Sequence, residues 1–389
     1  MQALMLVTLL ASIDVPAAQR AFAEIDAMCA ADRGRLWGRS LCGPMTFANA
    51  QTREAVRRTH VELEETKVPD TIGIANTAVE WDGTRWTMVL WPLPQGTVSR
   101  RVLLAHESFH RIQNDLGLPN ASPRNAHLDG AEARAWMRLE WRALARALAG
   151  DERAIADALA FRARRRALGG GEEERQLELN EGLAEHTGFA LAIPHLRERI
   201  APLVRKLANA EKSETFARSF AYTSGPAWGA LIEMKDARWT RKLKASDDLG
   251  ELARRAWGLR ISEPRDAYDA AAVHEDERAR AKTKRELLAR LRAKFVDGPV
   301  LTIPLQSMSF TFDPNRVQPL GDLGSVYESM EVRDAWGKIV VAGGGLISAD
   351  FQKLVVPANG EGYTLTPADG WRIVDGARPG DKTLAKDER

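Results

Sequence analysis

Cysteine is almost missing from this chain: its 389 residues include two, Cys29 and Cys42. That excludes a disulfide-built scaffold and any metal site made from thiolates alone. In an oxidising compartment the pair would close a short loop, and in a reducing one they would be two buried thiols. An excess of one charge is missing too. Fifty-five Lys and Arg face 53 Asp and Glu, a formal net charge of +2, so charge gives no general case for a nucleic-acid partner. No apolar run is long enough for a stable membrane span, and no internal repeat is visible. Tyrosine (four residues) and histidine (seven) are scarce, so a pattern that uses them stands out.

Such a pattern is His106-Glu107-Ser108-Phe109-His110. An H-E-x-x-H run arises by chance in about one chain in a hundred of this composition. The surrounding segment, Val98 to Leu116, reads as a helix because Val102, Leu103, Phe109, Ile112 and Leu116 recur at helical spacing. Thr97 or Ser99 is the expected cap, and Gly117 with Pro119 the expected end. On a helix, His106 and His110 share one face and can offer two imidazole nitrogens to one Zn2+. Glu107 lies beside them, where a carboxylate can take a proton from an attacking water.

A catalytic zinc needs a third protein ligand. Downstream comes Asn180-Glu181-Gly182-Leu183-Ala184-Glu185-His186. With H-E-x-x-H, this segment makes the chain resemble the gluzincin zinc metallopeptidases, the thermolysin-like and zinc aminopeptidase clan, which pair that motif with N-E-x-x-x-[DE] on a second helix. The resemblance implies a zinc metallopeptidase with Glu181 as third ligand and Glu185 as the second-shell carboxylate that orients a zinc histidine. His127 and Asp129, in a loop, are rival ligands. The longer metzincin pattern is absent, since Gln113 and Leu116 stand where Gly and His are needed.

The aminopeptidase branch also has a Y-x-x-G segment whose Tyr stabilises the oxyanion. Tyr222 and Gly225 keep that spacing, with Ser224 in place of the family's Lys. The resemblance therefore makes Tyr222 a catalytic candidate, with His186 as a substitute; the alternative is that Tyr222 packs with Phe220 and Trp228. The branch's G-x-M-E-N segment corresponds here to Gly73-Ile74-Ala75-Asn76-Thr77, which has no Glu. Asn76 is thus a substrate-binding candidate on a strand expected from Thr71 to Trp81. Asp82-Gly83 signals a hairpin from that strand into Arg85 to Leu93, and Met45 to Ala48 with Glu54 to Val56 reads as another.

The expected fold class is α+β: a zincin-like catalytic domain, made of a mixed sheet and a helical subdomain, with a small C-terminal all-β module. The expected divisions are 1–18 a signal segment, 19–96 an N-terminal helix and mixed sheet, 97–270 the helical zinc-site subdomain, 271–297 a linking helix, and 298–389 the β-rich module. Ala3 to Ala11 is apolar with Ala17-Ala18 behind it, which favours a secreted or periplasmic protein over a cytoplasmic one, although no positive charge precedes the run. Ala131 to Leu148 and Glu152 to Leu168 read as a helical hairpin with a structural role. Arg162 to Arg166 and Glu172 to Glu174 read as solvated surface. The expected function is hydrolysis of a peptide or protein substrate. The alternatives are a non-catalytic zincin-like binding protein, which would have no need of Glu107, and a zinc hydrolase of another amide or ester.

Overall fold

The computed structural model describes residues 12–59, 62–313 and 316–387. The apolar stretch Ala3–Ala11 lies outside them. The protein is α+β and forms two compact units, dividing between Arg278 and Ala279.

The first unit starts with α1 (Val15–Asp32), whose N-cap Asp14 accepts a hydrogen bond from the Ala17 N–H. Ala18, Phe22, Ile25 and Cys29 form its buried face, so Ala17-Ala18 falls in the first turn of a packed helix. Cys29 and Cys42 are free thiols. Five strands follow: β1 (Met45–Ala48), β2 (Glu54–Arg58), β3 (Leu63–Lys67), β4 (Thr77–Trp81) and β5 (Thr84–Leu90). Their order is β3-β2-β1-β5-β4, with β1 and β5 parallel and the other pairs antiparallel. Asp82 and Gly83 both have positive φ (50° and 70°), the mirror-image turn whose twist suits a two-residue hairpin.

Two strand expectations need correction. The strand expected from Thr71 begins at Thr77, because Arg53 bonds the carbonyls of Val68 and Ile72 and ties that segment into a loop. Strand β3 gave no sequence signal, since Leu-Glu-Glu-Thr-Lys has no apolar alternation; Arg57 on β2 pairs with its Glu64 at 2.8 Å. The edge position of β4 leaves one side of its backbone without a strand partner among the described residues.

Helices complete the unit: α2 (Thr97–Gln113), α3 (Ala131–Leu148), α4 (Arg153–Arg166), α5 (Gly171–Leu177), α6 (Leu183–Ala192), α7 (Leu196–Ala210), α8 (Ser219–Glu233) and α9 (Leu249–Ala256). The N-cap of α2 is Gly96 and no side chain caps it, so neither Thr97 nor Ser99 has that role. Helices α3 and α4 form the expected hairpin, with Trp141 donating to Ser224 on α8 at 2.8 Å. A π turn, Glu178–Gly182, joins α5 to α6. Helix α10 (Ala270–Arg292) runs across the division.

In the second unit, eleven strands between Val300 and Lys386 make a four-stranded and a seven-stranded sheet among the described residues. Both sheets contribute to one core that includes Ile303, Val332, Trp336, Ile339, Leu354 and Leu384.

Candidate metal centre

Four carboxylates lie along the segment from α5 to α6: Glu174, Glu178, Glu181 and Glu185. In an uninterrupted α-helix, steps of four, three and four residues would put all four on one face. The π turn over 178–182 changes the winding between the second and third. Glu174 and Glu178 therefore meet the arginines of α4, while Glu181 and Glu185 meet the histidines of α2.

Glycines set how closely these helices approach. A Cβ on Gly188 would lie 2.7 Å from the Val102 carbonyl oxygen, and one on Gly225 would lie 2.3 Å from the Gly182 Cα. The first contact brings α6 onto α2, and the second brings α8 onto the π turn, one helical turn from Tyr222.

The result is a near-regular triangle. His106 Nε2 lies 3.2 Å from His110 Nε2 and 3.3 Å from Glu181 Oε2, and the third side is 3.4 Å. The hydrogens on the imidazoles follow from their other partners. His110 Nδ1 is 2.8 Å from Gln113 Oε1, an acceptor only, so Nδ1 carries the proton. His106 Nδ1 faces Glu185 Oε2 at 2.9 Å and donates to it. With both imidazoles neutral, the two Nε2 atoms direct lone pairs at a third acceptor, Glu181 Oε2. Three acceptors at this spacing repel unless a cation sits between them, and these three residues could hold a metal ion.

The surrounding groups fix that geometry. Lys206 donates to Glu185 at 2.7 Å. Gln113 donates to Asn180 Oδ1 at 3.1 Å, and Asn180 donates to Glu181 Oε1 at 3.3 Å. The chain His110–Gln113–Asn180–Glu181 thus ties two ligands of the triangle through their outer partners. Burial pushes the His106 pKa down, but its hydrogen bonds to Glu181 and Glu185 and the charge of Glu107 outweigh it and raise it to about 10, so that without a metal a proton on Nε2 fills the gap. Burial raises Glu181 and Glu185 as well, yet their histidine partners carry both below the usual carboxylate range. The pocket draws in positive charge, whether a proton or a metal ion.

Glu107 is buried, its pKa is raised by burial, and its Oε2 has no hydrogen-bond partner among the described residues. A buried carboxylate oxygen left without a donor beside a triangle of ligand atoms is suited to accept a proton from a water held there. Tyr222 does not pack with Phe220 and Trp228. Its ring stacks on His106 at 5.4 Å with 3° between the planes, and its hydroxyl bonds Glu181. Burial and Glu181 hold its pKa above the usual value, so the phenol keeps its proton and can donate it in a hydrogen bond.

A cleft of about 850 Å3 opens over the triangle. Ala75 to Ala78 line one side and Arg218 and Tyr222 another. Asn76 stands at this edge, with its Oδ1 accepting from the Leu90 N–H at 2.7 Å. No protein-family profile, curated protein or solved structure matches the chain. The site is therefore read from its own atoms.

The other sequence candidates are committed elsewhere. His127 pairs with Glu174 at 3.1 Å, and Asp129 accepts from Thr215 and the Phe216 N–H. His186 is buried against Gly229 and Trp239, away from the cleft lining, and burial lowers it to about 4. Sequence reading missed Lys206 and Arg218, which no local pattern marks, and the role of Gln113, whose place three residues after His110 on the same helix face is a usable signal.

Proposed function

We propose that the protein is a zinc-dependent metallopeptidase of gluzincin type, with a zincin-like catalytic fold in its first unit. The observation that carries this reading is the triangle of His106, His110 and Glu181. Ligand atoms on a tetrahedron lie about 1.6 bond lengths apart, so zinc bonds of about 2.0–2.1 Å call for edges of about 3.3–3.4 Å. The observed sides are 3.2, 3.3 and 3.4 Å. Two imidazoles and one carboxylate are a catalytic zinc set, whereas calcium and magnesium prefer oxygen alone.

When bound there, zinc supplies Lewis-acid polarisation of a carbonyl and eases deprotonation of water at neutral pH. Glu107 takes the proton of the attacking water on its unpartnered Oε2 and passes it to the leaving amine. Tyr222 donates its hydroxyl to the oxygen that becomes negative as the carbonyl turns tetrahedral. Glu185 and Gln113 keep both imidazoles in the tautomer that presents Nε2. The open side of β4 offers backbone groups to an extended peptide, which would be held as an added strand.

The test is hydrolysis of a broad peptide library by the zinc-loaded protein beside Glu107→Gln. The wild type should cut, and the variant should keep its zinc and lose about 10²- to 10⁴-fold in rate. A zinc-loaded wild type that cuts no peptide sinks the peptidase reading. Hydrolysis of another amide or an ester would then point to a different zinc hydrolase, and no hydrolysis at all to a binding protein.

A further inference from the structure

Three cations besides the histidines line the cleft: Arg85, Lys206 and Arg218. Two are occupied. Lys206 is held by Glu185 at 2.7 Å, and Arg85 donates to the Arg111 carbonyl at 3.0 Å and to Glu80 at 3.2 Å. Arg218 differs. Its nearest charge is Glu181 Oε1 at 3.7 Å, beyond hydrogen-bonding distance, and its side chain is 57% exposed. Glu181 does not depend on it, since Oε1 accepts from Asn180 and Oε2 faces the two histidines. Arg218 is the N-cap residue of α8, four residues before Tyr222, and both line the cleft. A guanidinium whose one charge contact is longer than a hydrogen bond among the described residues, set inside the cleft, can receive a planar anion in two parallel hydrogen bonds.

Resting on the peptidase reading, we infer that Arg218 anchors a substrate carboxylate and makes the enzyme selective for peptides that carry one next to the cleaved bond. The reach sets the position. An anion paired with Arg218 sits within a few ångströms of Glu181, and an extended peptide advances about 3.3–3.6 Å per residue. The carboxylate therefore belongs to a residue flanking the scissile bond or to the one after it. Its source is either an acidic side chain or a free C-terminus.

Calorimetric titration of the zinc-loaded protein with succinate, glutarate and butyrate tests the anchor without needing turnover. One carboxylate of any of the three can reach the metal, but only the diacids have a second for Arg218. The wild type should bind a diacid at least ten-fold more tightly than butyrate. Arg218→Ala should bring that ratio close to one, Arg218→Lys should keep part of it, and zinc stoichiometry should stay at one throughout. No diacid preference in the wild type, or an equal preference in Arg218→Ala, overturns the inference.

Peptide pairs then separate the sources. Preference for Glu over Gln beside the bond identifies a side chain, and preference for a free over an amidated end identifies a C-terminus. A wild type that cuts peptides without either preference overturns the inference and leaves the peptidase reading standing. One that cuts nothing yet distinguishes the diacids overturns the peptidase reading and the peptide selectivity with it, and leaves Arg218 as a carboxylate anchor alone.

Discussion

Two buried ionic clusters share the segment from α5 to α6, and they differ in one respect. In the first, Arg165 pairs with Glu140 and with Glu174 at 2.9 Å, Arg162 with Glu178 and with Asp248 at 3.0 Å, and Arg166 with Asp248 at 2.7 Å. Every carboxylate there meets a guanidinium, although Arg162 Nε is left without a partner among the described residues, and Trp228 adds a further donor to Glu140. In the second, His106, His110 and Glu181 turn acceptors toward one another, and Glu107 adds an oxygen without a partner. Burying charge does not by itself make a functional site. In the first cluster each carboxylate already has its cation, so its work is to fix α4 against the π turn. The second is satisfied only when a cation arrives.

Breaking the closed cluster should have the largest effect on stability. Arg165→Met takes from Glu140 and Glu174, both fully buried, one of the two guanidiniums that each of them meets, and should cost about 3 kcal/mol. Chemical denaturation with zinc present throughout would read this. A loss under about 1 kcal/mol would mean that the cluster is not the clamp described.

A third buried ionisable group gives a pH test. His186 and His106 are both pushed down by burial; the carboxylates around His106 bring it back up, whereas the charge of Glu233 offsets only part of the fall at His186. The folded pKa of His186 is about 4, against about 6.5 when unfolded. Between those values the unfolded state binds more protons, so stability falls as pH drops from about 6.5 to about 4, by about 3 kcal/mol in all. His186→Gln should flatten that limb in a denaturation series. An unchanged limb would place the acid sensitivity elsewhere.

Zinc should stabilise the wild type by about 2.7 kcal/mol at a hundred times its dissociation constant. The same addition should leave the stability of Glu181→Ala nearly unchanged, which a thermal melt with and without zinc would show. The smallest effect sharpens the comparison most. Gln113→Leu removes the acceptor of His110 Nδ1 and the donor to Asn180. It should weaken zinc binding by about 10- to 100-fold, with little change in any hydrolysis by the zinc-saturated protein. Competition against a chelating dye measures this, and unchanged affinity would remove Gln113 from the account.

What could be read from the sequence follows from how local each signal is. The His106–His110 pair is visible because a helix turns spacing directly into a shared face. Glu181 and Glu185 are visible by the same spacing together with their flanking residues. The arginine run from Arg162 to Arg166 misleads, because like charges in a row look solvated until Glu140 and Asp248 are brought in from other helices. Glu174 misleads likewise and is fully buried. The π turn that separates the two clusters leaves no mark in the residue pattern. The hairpin at Asp82-Gly83 is legible because its turn demands positive φ, whereas β3, polar on both faces, is identified only by its pairing with β2.

The central claim is that the three converging acceptors are a metal site. X-ray absorption at the zinc edge of the purified protein, beside Glu181→Ala and with metal content measured on both samples, tests it most directly. The account predicts one zinc per wild-type chain, with two imidazole nitrogens and one carboxylate oxygen at about 2.0–2.1 Å, and loss of the metal in the variant. A wild type without metal after incubation with zinc, or a zinc environment that Glu181→Ala leaves unchanged, would contradict it.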